Sequence, residues 1–169
     1  MALRKLSSAT LRKHKGASFT GITTPFICYD DAGMIFMSKR SSKARDEHGR
    51  WDCGAGGLKH GQSVKESMLR ELREEYGVAE PIDVDYLGYF DVFRTLPDGT
   101  QTHWLAMPFA VHVNRTDIRI MEPDMVDDSG WFNLNNLPEP LHSAWPRLFL
   151  PNFNKRLNII IRRRTASGV

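Results

Sequence analysis

The sequence predicts an α+β domain on three observations: short strand-like runs bounded by turn residues, one sharply capped amphipathic helix near the middle, and a second helical stretch towards the C-terminus. A chain of 169 residues, 41% hydrophobic, can bury one core and suits one domain rather than two. No linker, repeat or low-complexity tract divides it.

Residues 19–29 read as a strand, Asp30-Asp31-Ala32-Gly33 as a tight turn, and residues 34–38 as the hairpin partner. Strand-like residues return at 51–53, before a loop with glycines at 54, 56, 57 and 61. Residues 86–94 and 102–113 read as another hairpin around the turn signal Pro97-Asp98-Gly99, with Pro108 implying an edge or a bulge in its second arm. Trp131-Phe132 begins a short strand, and residues 145–163 read as a helix loosened around Pro151. Periodicity alone does not close this fold.

The central helix is the most sharply defined element. Ser63 followed by Glu66 is a capping box, and Gly77 after Tyr76 supplies a left-handed stop at no steric cost. Between them Glu71, Glu74 and Glu75 share one face by i, i+3 and i+4 spacing, while Met68, Leu72 and Tyr76 fall on another. Three neighbouring carboxylates repel one another, so something cationic should neutralise them. Hard oxygen donors on a short face suit Mg²⁺ or Mn²⁺, which accepts one or two carboxylates and fills its remaining positions with water and substrate phosphate. Arg70 can pair with Glu74 one turn on.

Gly56, Arg70-Glu71-Leu72, Glu74-Glu75 and Gly77-Val78 stand in the spacing G-x5-E-x7-R-E-U-x-E-E-x-G-U, where U is aliphatic. The chain thus resembles the Nudix hydrolases, whose box this is. Gln62 stands where the box has its first glutamate. The resemblance implies an α/β/α sandwich with a mixed sheet between helices, over residues 19–163, leaving a basic N-terminal extension at 1–18 and a short tail at 164–169. It implies that Glu74 and Glu75 ligate a divalent metal, that Glu71 contributes a metal contact or activates water, that Arg70 orients the cluster by an ion pair, and that a backbone carbonyl at Ala55 or Gly56 is a further ligand. The implied reaction is attack of water on phosphorus in a nucleoside diphosphate linked to a moiety X. Chemistry agrees: such an anhydride needs its charge neutralised, its water aligned and a proton removed, and glycines such as Gly57 let backbone approach the phosphates.

Residues 122–143 resemble the Nudix segment in which an acidic residue ahead of a Trp-Phe strand reaches the metal. Glu122 is the candidate extra ligand or general base, with Asp124 and Asp127 as rivals. Gln62 keeps a carbonyl acceptor but has lost the charge, and it is retained as a candidate substrate contact. Arg40, with Lys39, Arg45 and Arg50, is a candidate for phosphate oxygens. Phe90, Phe93 and Trp104 are candidates to stack on a base, against the ordinary reading of strand aromatics as core. Cys28 and Cys53 lack metal-type spacing and read as reduced core thiols.

Net charge is +3 with pI near 9.0, the excess gathered at the ends: Arg4, Lys5, Arg12, Lys13 and Lys15, then Arg162, Arg163 and Arg164. Solvated tails are the simpler explanation, and the 5′ end of an RNA is a less favoured substrate beside a free nucleotide such as a nucleoside triphosphate or ADP-ribose. The N-terminus lacks the apolar stretch of a signal peptide and no run is long enough to cross a bilayer, so a cytoplasmic enzyme is expected, with homodimers common in the family it resembles. Two alternatives stand: a nucleotide-sensing module that has lost the reaction, for which Gln62 speaks, and an isoprenoid-diphosphate isomerase using Cys53.

Overall fold

A computed structural model of the chain describes residues 7, 9–10, 14–96, 98–148 and 151–167. Arg4, Lys5, Arg12, Lys13, Pro97 and the side chain of Arg164, which the sequence singles out, lie outside them. The elements are β1 (Gly21–Tyr29), β2 (Met34–Arg40), β3 (Trp51–Asp52), β4 (Gly54–Gly57), α1 (Val64–Tyr76), β5 (Asp83–Tyr86), β6 (Phe90–Thr95), β7 (Gln101–Ala106), β8 (Phe109–His112), β9 (Val126–Asn133), α2 (Trp145–Leu148) and α3 (Pro151–Ser167), with 3₁₀ turns at Arg115–Asp117 and Pro123–Met125.

β1 is the axis of a mixed sheet. Along one side it pairs antiparallel with β4 and then, at Tyr29, with β2; along the other it pairs parallel with β7 and then β8. Its run Pro25-Phe26-Ile27-Cys28-Tyr29 is buried throughout, as expected of a strand covered on both faces. Alternation then sorts the side chains. Phe26, Cys28, Phe36, Phe109 and Val111 pack with Met68, Leu72 and Tyr76 of α1 on one face. Ile27, Tyr29, Ile35, Met37 and Ala110 pack with Trp145, Leu157 and Ile161 of α2 and α3 on the other. The result is the helix–sheet–helix layering that the resemblance implies.

Several boundaries differ from the sequence reading. The first strand begins at Gly21, not Phe19, and its hairpin partner runs to Arg40. The glycine loop opens as a true strand, β4, because its Thr23–Phe26 partners supply the ladder that glycine's own propensity would not. The expected 86–94/102–113 hairpin is only β6 with β7, in register from Phe90↔Ala106 to Thr95↔Gln101. Tyr86 belongs instead to β5, on β8. Met107 and Pro108 separate β7 from β8, a jog in the strand succession beside β1 and not an outer edge. β9 begins at Val126, ahead of Trp131, and pairs along β2. The C-terminal helix divides into α2 and α3, the latter starting at Pro151, where a missing backbone donor does no harm, and continuing to Ser167.

Candidate active site

Local rules place α1 as the sequence reads it. The Ser63 hydroxyl accepts from the Glu66 amide at 3.2 Å, the Glu66 carboxylate accepts from the Ser63 amide at 2.7 Å, and Gly77 closes the helix at φ 69°. With Met68, Leu72 and Tyr76 buried, the polar row of α1 lies over β4. Two of the β4 glycines sit where a side chain would not fit, Gly56 against a carboxylate and Gly54 against an aromatic ring with a carboxylate beside it. A Cβ at Gly56 would stand 1.8 Å from Glu71 Cδ, and one at Gly54 would stand 2.1 Å from the Phe26 ring and 2.9 Å from Glu75 Oε2.

Arg70 organises the outer half of the cluster. Its guanidinium pairs with Glu71 at 2.7 Å and Glu74 at 2.6 Å, and donates to Gln62 Oε1 at 3.3 Å and to the Gly57 carbonyl at 3.4 Å. Gln62 therefore keeps the acceptor role that a glutamate could fill on Arg70; it does not line the cleft described below. Glu74, half exposed, leans outward between Arg70 and Lys59. The two carboxylates laid against β4 are Glu71 and Glu75. The Gly56 carbonyl accepts the hydroxyls of Thr23 at 3.1 Å and Thr24 at 3.3 Å, so of the two backbone candidates it is the one already engaged.

Glu75 is held under electrostatic strain. Burial pushes its carboxyl well above the usual carboxylate range, the charge of Glu71 pushes it further, and Glu122 and Asp52 add to this, opposed by a hydrogen bond from the backbone at Ala55. Glu122 arrives because the chain after β8 docks on the end of α1: the Arg119 amide donates to the Tyr76 carbonyl and the Met121 amide to that of Glu75, both at 2.9 Å. Its rivals are elsewhere. Asp124 pairs with Lys43 at 3.0 Å on the surface, and neither it nor Asp127 lines the cleft. Among the described residues no three acidic, histidine or cysteine side chains converge into a complete metal cage. Glu71 and Glu75 nonetheless repel one another, and a hard divalent ion, which takes one or two carboxylates and completes its shell with water and phosphate, would relieve that repulsion.

A cleft of about 370 Å³ opens beside this cluster, lined at its base by Thr23, Ala55, Gly56, Gly57, Glu75 and Glu122. One wall is apolar, formed by Phe90, Val92, Trp104 and Ala106 of the β6–β7 hairpin. Phe90 and Trp104 thus face it as the sequence allows, whereas Phe93 lies outside, stacked on His103 with ring centroids 4.5 Å apart. Arg45 covers the Trp104 ring at 5.5 Å. The far end is polar: Arg40 pairs with Asp46 at 3.3 Å and Asp52 at 3.8 Å, Arg94 with Asp46 at 3.2 Å and Glu47 at 2.9 Å, and His142 stands 3.8 Å from Asp52. Arg40 lines the cleft, but it is already committed to two carboxylates. Lys39 and Arg50 do not line it. For Asp46, burial would raise the pKa, yet Arg45, Arg94 and Arg40 together hold it below the usual range.

Sequence reasoning passed over Asp46, Asp52, Arg94, His142 and Lys15. The first four come together only through tertiary contact between distant segments, so no spacing announces them. Lys15, grouped with a solvated basic tail, donates instead to the Leu58 carbonyl at 2.5 Å.

A family model described as NUDIX domain matches residues 20–153. The chain is 28% identical over 130 residues to an RNA pyrophosphohydrolase of Gluconacetobacter diazotrophicus, covering 67% of this chain and 77% of that protein. Among solved structures it is similar to a MutT NUDIX hydrolase from Burkholderia pseudomallei, with a TM-score of 0.64, 29% identity, and coverage of 75% of this chain and 92% of that one. The NUDIX domain of NrtR from Shewanella oneidensis, solved with ADP-ribose, shares the fold at a TM-score of 0.65 and 16% identity, covering 90% of this chain and 99% of that one. With the box, the sandwich and the carboxylate row in place, the chain belongs to the NUDIX domain family, the Nudix hydrolases.

Proposed function

We propose that this Nudix pyrophosphohydrolase uses Mg²⁺, or Mn²⁺ in its place, to cleave a phosphoanhydride bond in a nucleoside diphosphate linked to X. The observation that carries the reading is Glu75 at the base of a cleft, with Glu71 beside it on the same glycine strand though not itself lining the cleft, under a repulsion that a bound cation relieves. The ion, when bound, supplies neutralisation of phosphate charge. Glu71 and Glu75 would hold it, with Glu74 completing the set after a turn away from Arg70 and with the Ala55 carbonyl favoured over that of Gly56. Arg70 keeps Glu71 in place. Glu122, at the cleft and free of the Arg70 network, takes the proton from the attacking water as its oxygen bonds to phosphorus and the bridging oxygen leaves with the other phosphate. Phe90, Val92 and Trp104 offer a flat apolar wall suited to a nucleobase or ribose, and the Arg40–Asp46–Arg94 end offers polar contacts for X.

The alternatives are less well supported. Cys53 is buried among core residues and its thiol is pushed well above its ordinary pKa, first by burial, which disfavours the thiolate an isomerase would need. Gln62 accepts from Arg70 at 3.3 Å, which supports a retained structural role for this position and weighs against reading its lost charge as a lost reaction. The test is release of phosphate, pyrophosphate or nucleoside monophosphate from nucleoside triphosphates, nucleotide sugars, ADP-ribose, dinucleoside polyphosphates and 5′-triphosphate RNA, with Mg²⁺ or Mn²⁺. Turnover of one class that disappears in Glu75→Gln is expected; an RNA substrate is included because a relative is named an RNA pyrophosphohydrolase. Saturable nucleotide binding with no turnover in either metal would overturn the reading in favour of a sensing module.

A further inference from the structure

We propose that Lys15, from the segment ahead of the family-matched region, is a phosphate-contacting residue of this site. Its ammonium stands at the end of β4, 3.0 Å from where a Cβ on Gly57 would be, and Gly57 lines the cleft. The ammonium carries three N–H donors, and among the described residues its hydrogen-bond partner is the Leu58 carbonyl, with no carboxylate in ion-pair range. Glu71 is nonetheless close enough to act on its charge, so the cation overlooks one of the carboxylates that would hold the metal ion. A cation held beside acidic groups without being paired to them is arranged for an oxyanion that arrives later.

The placement is built, not incidental. The His103 amide of β7 donates to the Gly16 carbonyl at 2.7 Å, the Gly16 amide donates to the Phe19 carbonyl at 2.8 Å, and Lys15 forms a β-bridge with Phe19. Gly16, at φ 83°, and Gly21 both lie flat on the Trp104 indole, where a Cβ would stand 2.3 Å and 2.5 Å from ring atoms. Thus the residue that walls the cleft also fixes the turn that delivers Lys15. Lysine is suited to this task as a compact charge with donors free to rotate, where the flat fork of Arg70 is already divided among carboxylates.

This inference rests on the phosphate-binding reading of the cleft, and its test separates the two. Methylenediphosphonate, which cannot be hydrolysed, is titrated with Mg²⁺ into the full chain and into Lys15→Gln and Lys15→Arg, by calorimetry, alongside thermal unfolding and turnover of whichever substrate the panel yields. One charge-assisted hydrogen bond lost corresponds to affinity weaker by about tenfold or more in Lys15→Gln, with a matching rise in KM and a steeper loss at high salt in the native chain. Lys15→Arg should recover affinity to within about threefold. Equal affinity in native and Lys15→Gln proteins overturns the proposal, as does a loss that Lys15→Arg does not recover and that tracks a fall in Tm, which would make Lys15 a tether for the segment. Failure of the native chain to bind methylenediphosphonate at all overturns both the proposal and the reading beneath it, whereas binding without turnover leaves Lys15 testable and overturns hydrolysis alone.

Discussion

Gly56→Ala isolates the geometry of the carboxylate pair from its chemistry. Gly56 does not adopt a positive φ, so alanine incurs no backbone penalty, and the whole cost is contact. Its methyl would meet Glu71 Cδ at 1.8 Å, Cγ at 2.0 Å and Oε1 at 2.1 Å, where ordinary contact begins near 3.4 Å. The carboxylate must therefore retreat by about 1.6 Å. Glu71 is mostly buried and tied to Arg70 at 2.7 Å, so its retreat drags the guanidinium that also holds Glu74 and Gln62. Displacement of a reacting or ligating group by about 1 Å costs roughly 100-fold in rate, and overpacking of this kind costs about 1–3 kcal/mol in stability. The assay is kcat/KM on the substrate found in the panel, with circular dichroism and thermal unfolding as the check on folding. A drop of 100-fold or more with the fold retained is expected. Activity within about twofold of the native chain would refute the claim that Glu71 must lie against the β4 backbone.

Two further predictions concern charge. In metal-free protein with chelator, Glu75→Gln should raise stability near pH 7 by about 1 kcal/mol, or roughly 2–4 °C in Tm, while abolishing turnover. A carboxyl whose folded pKa is raised costs nothing below its unfolded value near 4.3 and costs progressively more as pH rises from there to its folded value, so the two proteins should converge in acid, and an equal or lower Tm for the variant at pH 7 would contradict this. Asp46 has the opposite sign: its lowered pKa contributes stability that is complete above about 3.9 and is lost as pH falls through the folded value. Urea unfolding should find Asp46→Asn about 2 kcal/mol less stable at pH 7, with the gap closing as acid protonates Asp46 in the folded protein; a gap independent of pH would reject the arginine network as its cause.

What could be foreseen was local. Both ends of α1 follow from Ser63, Glu66 and Gly77, whose side chains or backbone act within one turn, and the box spacing fixed the family. Helical periodicity placed Glu71, Glu74 and Glu75 on one face but could not say which of them meets β4, since that depends on how α1 rolls over the sheet. The strand β4 itself was hidden because glycine has little intrinsic preference for one, and its pairing with Thr23–Phe26 is a long-range event. Likewise β9 reads as beginning at Trp131 because the Val126–Gly130 stretch is acidic and polar; its ladder to β2 overrides that composition. The Asp46–Arg94 pair joins residues almost fifty positions apart, beyond any pattern in the chain.

Trp104 has a consequence for where this domain begins. The family match starts at residue 20, yet the indole rests on Gly16 as well as Gly21, and the β7 amide at His103 is satisfied by Gly16. The packing around the cleft wall thus extends upstream of the residues that the family model matches. A truncation at the recognisable start would bare one face of the indole and orphan a backbone donor, and exchange of the upstream segment offers a route to altered substrate preference that leaves every box residue untouched.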